Sequence, residues 1–205
     1  MSASQRDLKA ESELIRALSK EIFVRFKKLN PVCLKVVDST QDYLSRVKSS
    51  EEGDLVLSEI QTAGKGRQGR SWVSDRGGLW LTMTLKPPDP EFLDSLSLTV
   101  AHAVNETLKD LGAQDCSVKP PNDIYCMGKK IGGVLVDSVI EGSECLAYVG
   151  IGVNINNNVR SNESISKIAI SLKDILGKDV PLQQVTVSLL RHLDRDYDRH
   201  LSSMI

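Results

Sequence analysis

Apolar residues near the start of the chain recur with one period and then switch to another, and the switch marks a change of element. Leu14, Ile15, Leu18, Ile22, Phe23 and Phe26 stand three or four apart. That spacing predicts a helix from about Glu13 to Leu29 with one buried face, ended by Asn30-Pro31. Val32 to Val37 is short and β-prone, hence a strand. Ser39 or Thr40 then offers an N-cap for a helix through about Lys48. Asp54-Leu-Val-Leu-Ser-Glu-Ile60 and Leu79-Trp-Leu-Thr-Met-Thr-Leu85 read as two more strands around a polar stretch. Lys86-Pro-Pro-Asp-Pro90 breaks structure, and Phe92 to Leu111 reads as a long helix with Gly112 just past its end. Met127-Gly128 predicts the turn of a hairpin joining Asp123–Cys126 to Lys130–Asp137. Ala147 to Asn156 continues the sheet, Asn156 to Ser166 is polar and loop-like, and a short helix is expected around Ile168–Leu176. A last amphipathic helix, from about Leu182 to Leu201, places Val185, Leu189, Leu193 and Tyr197 on one face.

Composition narrows the class. At 205 residues the chain suits one domain, 1–205, able to bury a core without staples, with 1–30 as a helical extension. The 26 basic and 27 acidic residues cancel, so no overall field argues for nucleic acid, and a local basic cluster points to a small ligand. Cys33, Cys116, Cys126 and Cys145 are scattered without a Cys-x-x-Cys pair, which predicts reduced thiols rather than a metal site or a disulfide framework. No apolar signal core opens the chain and no run approaches a membrane span, so the expectation is a soluble cytoplasmic protein without a membrane partner. His102, alone within the long helix, reads as a surface or core histidine.

The chemistry concentrates in Gln61-Thr-Ala-Gly-Lys-Gly-Arg-Gln-Gly-Arg-Ser-Trp72. Gly64, Gly66 and Gly69 free the backbone for positive φ or for close approach to a ligand. Lys65, Arg67 and Arg70 supply charge for an anion, and Trp72 supplies a flat face. As a bare pattern, Gly64-x-Gly66-x-x-Gly69 matches a dinucleotide fingerprint. That fingerprint needs a helix opening inside the loop, whereas Leu79–Leu85 is a second strand, so no helix N-terminus is there to hold a pyrophosphate. A second stretch, Val118-Lys-Pro-Pro-Asn-Asp…Lys-Lys-Ile-Gly-Gly133, gathers Lys119, Asn122, Asp123, Lys129 and Lys130 beside two glycines. Taken alone it reads first as a charged turn on an edge hairpin.

Together these stretches resemble the biotin protein ligases. The loop is similar to that family's Gly-Arg-Gly-Arg-x-Gly-Arg-x-Trp, with Lys65 where Arg is usual. The second stretch is similar to its Lys-Trp-Pro-Asn-Asp…Lys-Lys-x-Gly-Gly, with Pro120 at the Trp position. Asp38-Ser-Thr-Gln41 resembles Asp-Ser-Thr-Asn, and Gly150-Ile-Gly-Val-Asn154 resembles Gly-Ile-Gly-x-Asn. The resemblance covers 32–201 and implies an α+β fold: a mixed, largely antiparallel sheet with helices packed on one face, as in class II aminoacyl-tRNA synthetases and the biotin–lipoate ligases. It leads to two expectations about extent, that no winged-helix DNA-binding domain precedes the catalytic domain and that the C-terminal barrel usual in the family is missing.

What the resemblance implies about activity has two steps: biotin and ATP give biotinyl-5′-adenylate and pyrophosphate, and a lysine of a biotin carboxyl-carrier protein then takes the biotin. It assigns biotin contacts to Ser39, Thr40, Gln41, Gln61, Gly64, Lys65, Gly66, Arg67, Lys130 and Gly133. ATP contacts fall to Arg70, Trp72, Asn122, Asp123, Lys130 and Asn154. Arg67 and Lys130 are the catalytic candidates, because cations must sit between a carboxylate and a polyphosphate. Mg²⁺ is expected with the leaving pyrophosphate, its ligands undefined beyond Asp123. A homodimer is left open. Two other readings stand beside this one: a lipoate or octanoate ligase of the same fold, and a ligase-like subunit that binds without transferring. The repeated glycine–cation pattern favours a biotin loop over a lipoate one.

Overall fold

The computed structural model describes residues 6–47, 49–142 and 144–202 and is built on a seven-stranded sheet. Its strands are β1 (Asn30–Val37), β2 (Asp54–Gln61), β3 (Leu79–Leu85), β4 (Cys116–Lys119), β5 (Asp123–Cys126), β6 (Lys129–Glu141) and β7 (Glu144–Val153). They pair in the order β1-β2-β3-β7-β6-β5-β4. Only β1 and β2 run parallel; the other pairs are antiparallel. β3 and β7 are central, and every residue of β3 is buried. Met127 and Gly128 turn the β5–β6 hairpin with φ of 51° and 74°, the left-handed pair that a tight two-residue hairpin requires.

Alternation along the strands divides the interior in two. Leu79, Leu81, Met83 and Leu85 of β3 join the main core with α1 (Leu8–Leu18), α3 (Leu93–Asp110) and α5 (Leu182–Ser202). There α3 packs against α5 and against β4, β5 and β6. Val185, Leu189, Leu193 and Tyr197 are all buried, as their spacing in the last helix predicts. The intervening β3 residues, Trp80, Thr82 and Thr84, project to the opposite face. There the short α2 (Thr40–Ser45) covers a smaller cluster of Leu34, Val37, Leu44, Val56 and Tyr148. The long helices therefore share one face, and α2 alone among the helices contacts the other through β2, β3 and β7. That open face carries the site.

Several boundaries differ from the sequence expectations, each for a local reason. The first helix is Leu8–Leu18, with Asp7 as its N-cap, rather than Glu13–Leu29. What stops it is Asp194 on α5. The carboxylate of Asp194 accepts the backbone N–H groups of Val24, Arg25 and Phe26 at 2.6, 2.8 and 2.7 Å, so these donors are lost to a helical ladder. Phe26 is thereby drawn into the core while Ile22 is 94% exposed. Asp194→Ala strands three donors next to the core, and about 3 kcal/mol of stability should go with it. A urea melt whose midpoint stays at the wild-type value would show that the carboxylate is dispensable.

The helix after Ser39 stops at Ser45, and Lys48 lies outside the described residues. Gly112 ends α3 with φ of 108° as expected. The helix placed at Ile168–Leu176 is only Leu172–Leu176 (α4), because Ser171 and Asp174 form a capping box that starts it there. The residues before it instead strap onto β6: Lys130 N–H donates to Ile168 O at 2.9 Å and Ile170 N–H to Lys130 O at 3.1 Å. Strand β4 was not anticipated. Too short to show periodicity, it exists through its pairing with β5, where Cys116 faces Cys126. All four cysteines are free and buried, and burial pushes the Cys33 thiol up to about 12. His102 is exposed on α3.

Candidate active site

On the α2 face of the sheet, separated lengths of chain, among them β3 with Thr82 and the strap before α4, close around a cleft of about 310 Å³. The first turn of α2 brings Ser39, Thr40 and Gln41; the end of β2 and the loop after it bring Gln61 and residues 65–67 and 70–73. The β5–β6 hairpin contributes Asn122, Asp123, Lys130 and Gly133, and β7 with its end contributes Gly150, Gly152 and Asn154. Of the residues anticipated for ligand contact, Gly64 alone does not line it.

Glycines make the floor. Gly133 and Gly152 face each other across β6 and β7. A Cβ on Gly152 would stand 2.8 Å from Nε1 of Trp72, and one on Gly133 would stand 3.5 Å from its Cζ3. The indole therefore lies flat over a patch that two hydrogens keep bare. Lys130 Nζ sits 5.1 Å from the centroid of that ring and 2.7 Å from Asp123 Oδ1. The indole N–H is buried and has no partner among the described residues. Two residues along β7, Gly150 plays the same part for Gln41, whose Oε1 would be 2.4 Å from an added Cβ.

The deep end is a closed polar network. Gln61 Oε1 accepts from Thr40 N–H at 2.8 Å and from the Thr40 hydroxyl at 3.0 Å, while Gln61 Nε2 donates to Ser74 Oγ at 2.8 Å. The Thr82 hydroxyl lies 2.9 Å from Thr40 Oγ1 and 3.3 Å from Gln41 Oε1. Gln41 Nε2 donates to Tyr148 O at 2.8 Å and to Asp137 at 3.2 Å. Ser39 Oγ caps α2 by accepting from Asp42 N–H at 3.3 Å, which leaves its own proton to give. Buried amides held by two or more partners cannot reorient cheaply, so this end has a set pattern of donors and acceptors.

The glycine-rich loop is a small hairpin. Trp72 N–H donates to Gly64 O at 2.8 Å and Gly66 N–H to Arg70 O at 2.7 Å. Positive φ is confined to Gln68 (59°) and Gly69 (71°) at its tip; Gly66 is extended. Gly64 is needed for closeness, since a Cβ there would fall 2.4 Å from Trp72 O. Its place in the pattern lets the two sides of the loop meet closely. Two ion or amide contacts pin the loop across the cleft: Lys65 to Asp42 on α2, and Arg67 Nη1 to Asn122 Oδ1 at 3.0 Å on the hairpin. Arg70 turns back to Arg67 O and Gln68. All three loop cations are exposed at the mouth. Lys119 lies over the Tyr125 ring and Lys129 reaches toward Ser166 O, so neither belongs to the cleft lining.

Sequence reasoning missed the apolar wall. Leu135 supplies it from the sheet, where Leu81, Val134 and Ile151 border the cleft while belonging to the main core, and Ile165, Ile168 and Ala169 supply it from the strap. The strand residues carry no signal, since apolar positions in a central strand read as core. Ile165 and Ile168, isolated in a polar stretch, are the one cue that was available. Among the described residues no group of three or more His, Cys, Asp or Glu side chains could hold a metal, and Asp123 is already paired with Lys130. A divalent cation here would depend chiefly on oxygens brought by its own ligand.

Comparison with known proteins agrees with this geometry. Residues 33–156 match the Biotin/lipoate A/B protein ligase family. The chain is 35% identical over 165 residues to the bifunctional ligase/repressor BirA of Escherichia coli K12, which spans 78% of this chain and 51% of BirA. To BirA of Bacillus subtilis 168 it is 30% identical over 173 residues, 82% of this chain and 53% of the other. The chain thus spans about half the length of the curated relatives it matches. Among solved structures, biotin protein ligase from Aquifex aeolicus in complex with biotin and ATP superposes with a TM-score of 0.74 at 34% identity, covering 83% of this chain and 71% of that one.

Proposed function

Because the chain belongs to the biotin/lipoate A/B protein ligase family, we propose that it joins biotin to ATP as biotinyl-5′-adenylate and then passes the biotin to a lysine of a biotin carboxyl-carrier protein. The observation that carries this reading is the polarity of the cleft: a deep end of fixed amides and hydroxyls, an apolar middle, and a mouth ringed by Lys65, Arg67, Arg70 and Lys130. A ligand that fits has a polar ring with N–H donors and a carbonyl, an aliphatic stretch, and an anionic end. Biotin is that molecule.

The assignments follow. Ser39, Thr40, Gln41 and Gln61 hold the ring, with Gly66 and Lys65 closing over the chain that bears the carboxylate. Trp72, Arg70, Asn122, Asp123 and Asn154 take the nucleotide, the indole giving the base or ribose a flat seat. Lys130 and Arg67 stand where carboxylate meets phosphate. A carboxylate oxygen attacks the α-phosphorus, the new P–O bond forms, and pyrophosphate leaves with the electrons of the broken one. The carrier amine then attacks the acyl carbon and AMP departs. No protein nucleophile is required, because orientation and charge compensation suffice. Mg²⁺ enters with the ATP phosphates as part of the substrate and screens their charge.

A lipoate ligase is the reading nearest to this one, within the same family. Its dithiolane ring carries neither N–H nor carbonyl, so it would leave the Ser39 hydroxyl proton and the open side of Gln41 Oε1 without partners. Two such losses at about 1.5 kcal/mol each amount to about a hundredfold in affinity. Calorimetry is accordingly expected to show biotin binding at least about a hundredfold tighter than lipoate, and equal affinities would overturn the assignment. Labelled biotin with ATP, Mg²⁺ and a carrier domain then separates a ligase from a subunit that only binds: the ligase labels the carrier.

A further inference from the structure

Asp137 lies on β6 directly across from Tyr148 on β7, beside the deep end but outside the cleft lining. Its Oδ2 is 3.2 Å from Gln41 Nε2, and the same nitrogen donates to Tyr148 O at 2.8 Å. Both amide protons of Gln41 are therefore committed on one side. The carboxamide oxygen is left on the other, toward the Thr82 hydroxyl and the cleft. Gln41 itself is 4% exposed, while Asp137 reaches solvent and closes the outer side of the amide. Reversing the amide would set its oxygen against a carboxylate and a carbonyl at once, an arrangement of three acceptors with no proton between them.

We propose that Asp137 is a positioning residue which, acting through Gln41, sets the polarity of the deep end, so that an acceptor oxygen meets the ligand and a ring bearing N–H donors is selected. The proposal rests on the biotin reading and deepens it: the cyclic urea supplies that N–H. Tyr148 O alone secures one proton. Without Asp137 the second N–H has only water for a partner, and the amide is held less firmly with its oxygen toward the cleft. Asp137 never touches the ligand, so its effect is confined to ring recognition.

Asp137→Ala is expected to weaken biotin binding about tenfold, with kcat at saturating biotin and the KM for ATP both within about twofold of wild type. In a Gln41→Ala background the same change should do nothing more, because the only route runs through that amide. Wild-type biotin affinity in Asp137→Ala, an undiminished loss in the Gln41→Ala background, or an equal rise in the KM for ATP would each overturn the proposal. Asp137→Asn, which keeps the shape, covers the case of a misfolded alanine variant. It should bind biotin about threefold more weakly than wild type, and no loss would refute the role. Failure of the wild-type protein to bind biotin would instead overturn the functional reading itself.

Discussion

Replacing Lys130 with alanine should abolish most adenylate formation while leaving biotin binding nearly intact. The ammonium is 2.7 Å from Asp123, rests over the Trp72 ring, and projects from the strand that the Ile168–Ile170 strap fastens in place. It stands between the loop cations and the nucleotide side of the cleft. Closing a carboxylate on a phosphate brings like charges together, and a cation about 4 Å away offsets on the order of 4 kcal/mol at an effective dielectric near 20. Lys130 is 29% exposed, so screening reduces that figure. A fall of between about a hundredfold and a thousandfold in biotin-dependent pyrophosphate release is expected, against less than about threefold in biotin affinity. Lys130→Gln should do little better, since an amide fills the space without the charge. Pyrophosphate release at the wild-type rate would remove Lys130 from the mechanism.

Gly152→Val should separate the two substrates in the other direction. β7 is extended at this position, so the backbone accepts a β-branched residue without strain. The side chain has nowhere to go, because a Cβ alone would stand 2.8 Å from Trp72 Nε1 and 3.0 Å from its Cε2. The indole must lift from its seat on Gly133 and Gly152 and carry Lys130 with it. Loss of an aromatic platform costs about 1–3 kcal/mol, so ATP affinity should drop between about tenfold and a hundredfold. Biotin affinity should hold, because Gln41 and Gly150 are untouched. Trp72→Ala should reproduce the defect. ATP binding unchanged in Gly152→Val would mean that the indole is packing rather than platform.

The deep-end residues were readable in the sequence only where a local rule applied. Ser39 or Thr40 is legible as an N-cap because capping depends on residues three apart, and the fold uses Ser39. The β5–β6 turn was located because Met127-Gly128 has few other conformations to serve. The glycine–cation loop pointed to an anionic ligand by composition alone, and the fold sets its cations at the mouth of the cleft. By contrast, no rule about neighbours in sequence links Gln41 to Asp137, which are 96 residues apart, or Trp72 to Gly133 and Gly152. The same limit explains the first helix. Ile22, Phe23 and Phe26 continue a helical spacing, and nothing near them reveals that Asp194 will claim the backbone donors of Val24, Arg25 and Phe26 from far along the chain.

Glycine shows the division most clearly. From the sequence, Gly64, Gly66 and Gly69 formed one class, a loop made supple for a ligand. In the fold they separate: Gly69 supplies a positive φ, Gly64 makes room for a carbonyl, and Gly66 is extended. Gly133, Gly150 and Gly152, by contrast, become a flat floor that gives Trp72 and Gln41 their seats. Period, capping and turn chemistry act over a few residues, so the sequence by itself determined most of the order of strands and helices, β4 excepted, and where the glycine–cation loop lies. Which side chains share a wall, which amide faces inward and where the helical spacing fails depend on strand register and on contacts between residues far apart in the chain. Those were decided when the sheet closed, since only then do the buried polar groups find the partners that burial obliges them to have.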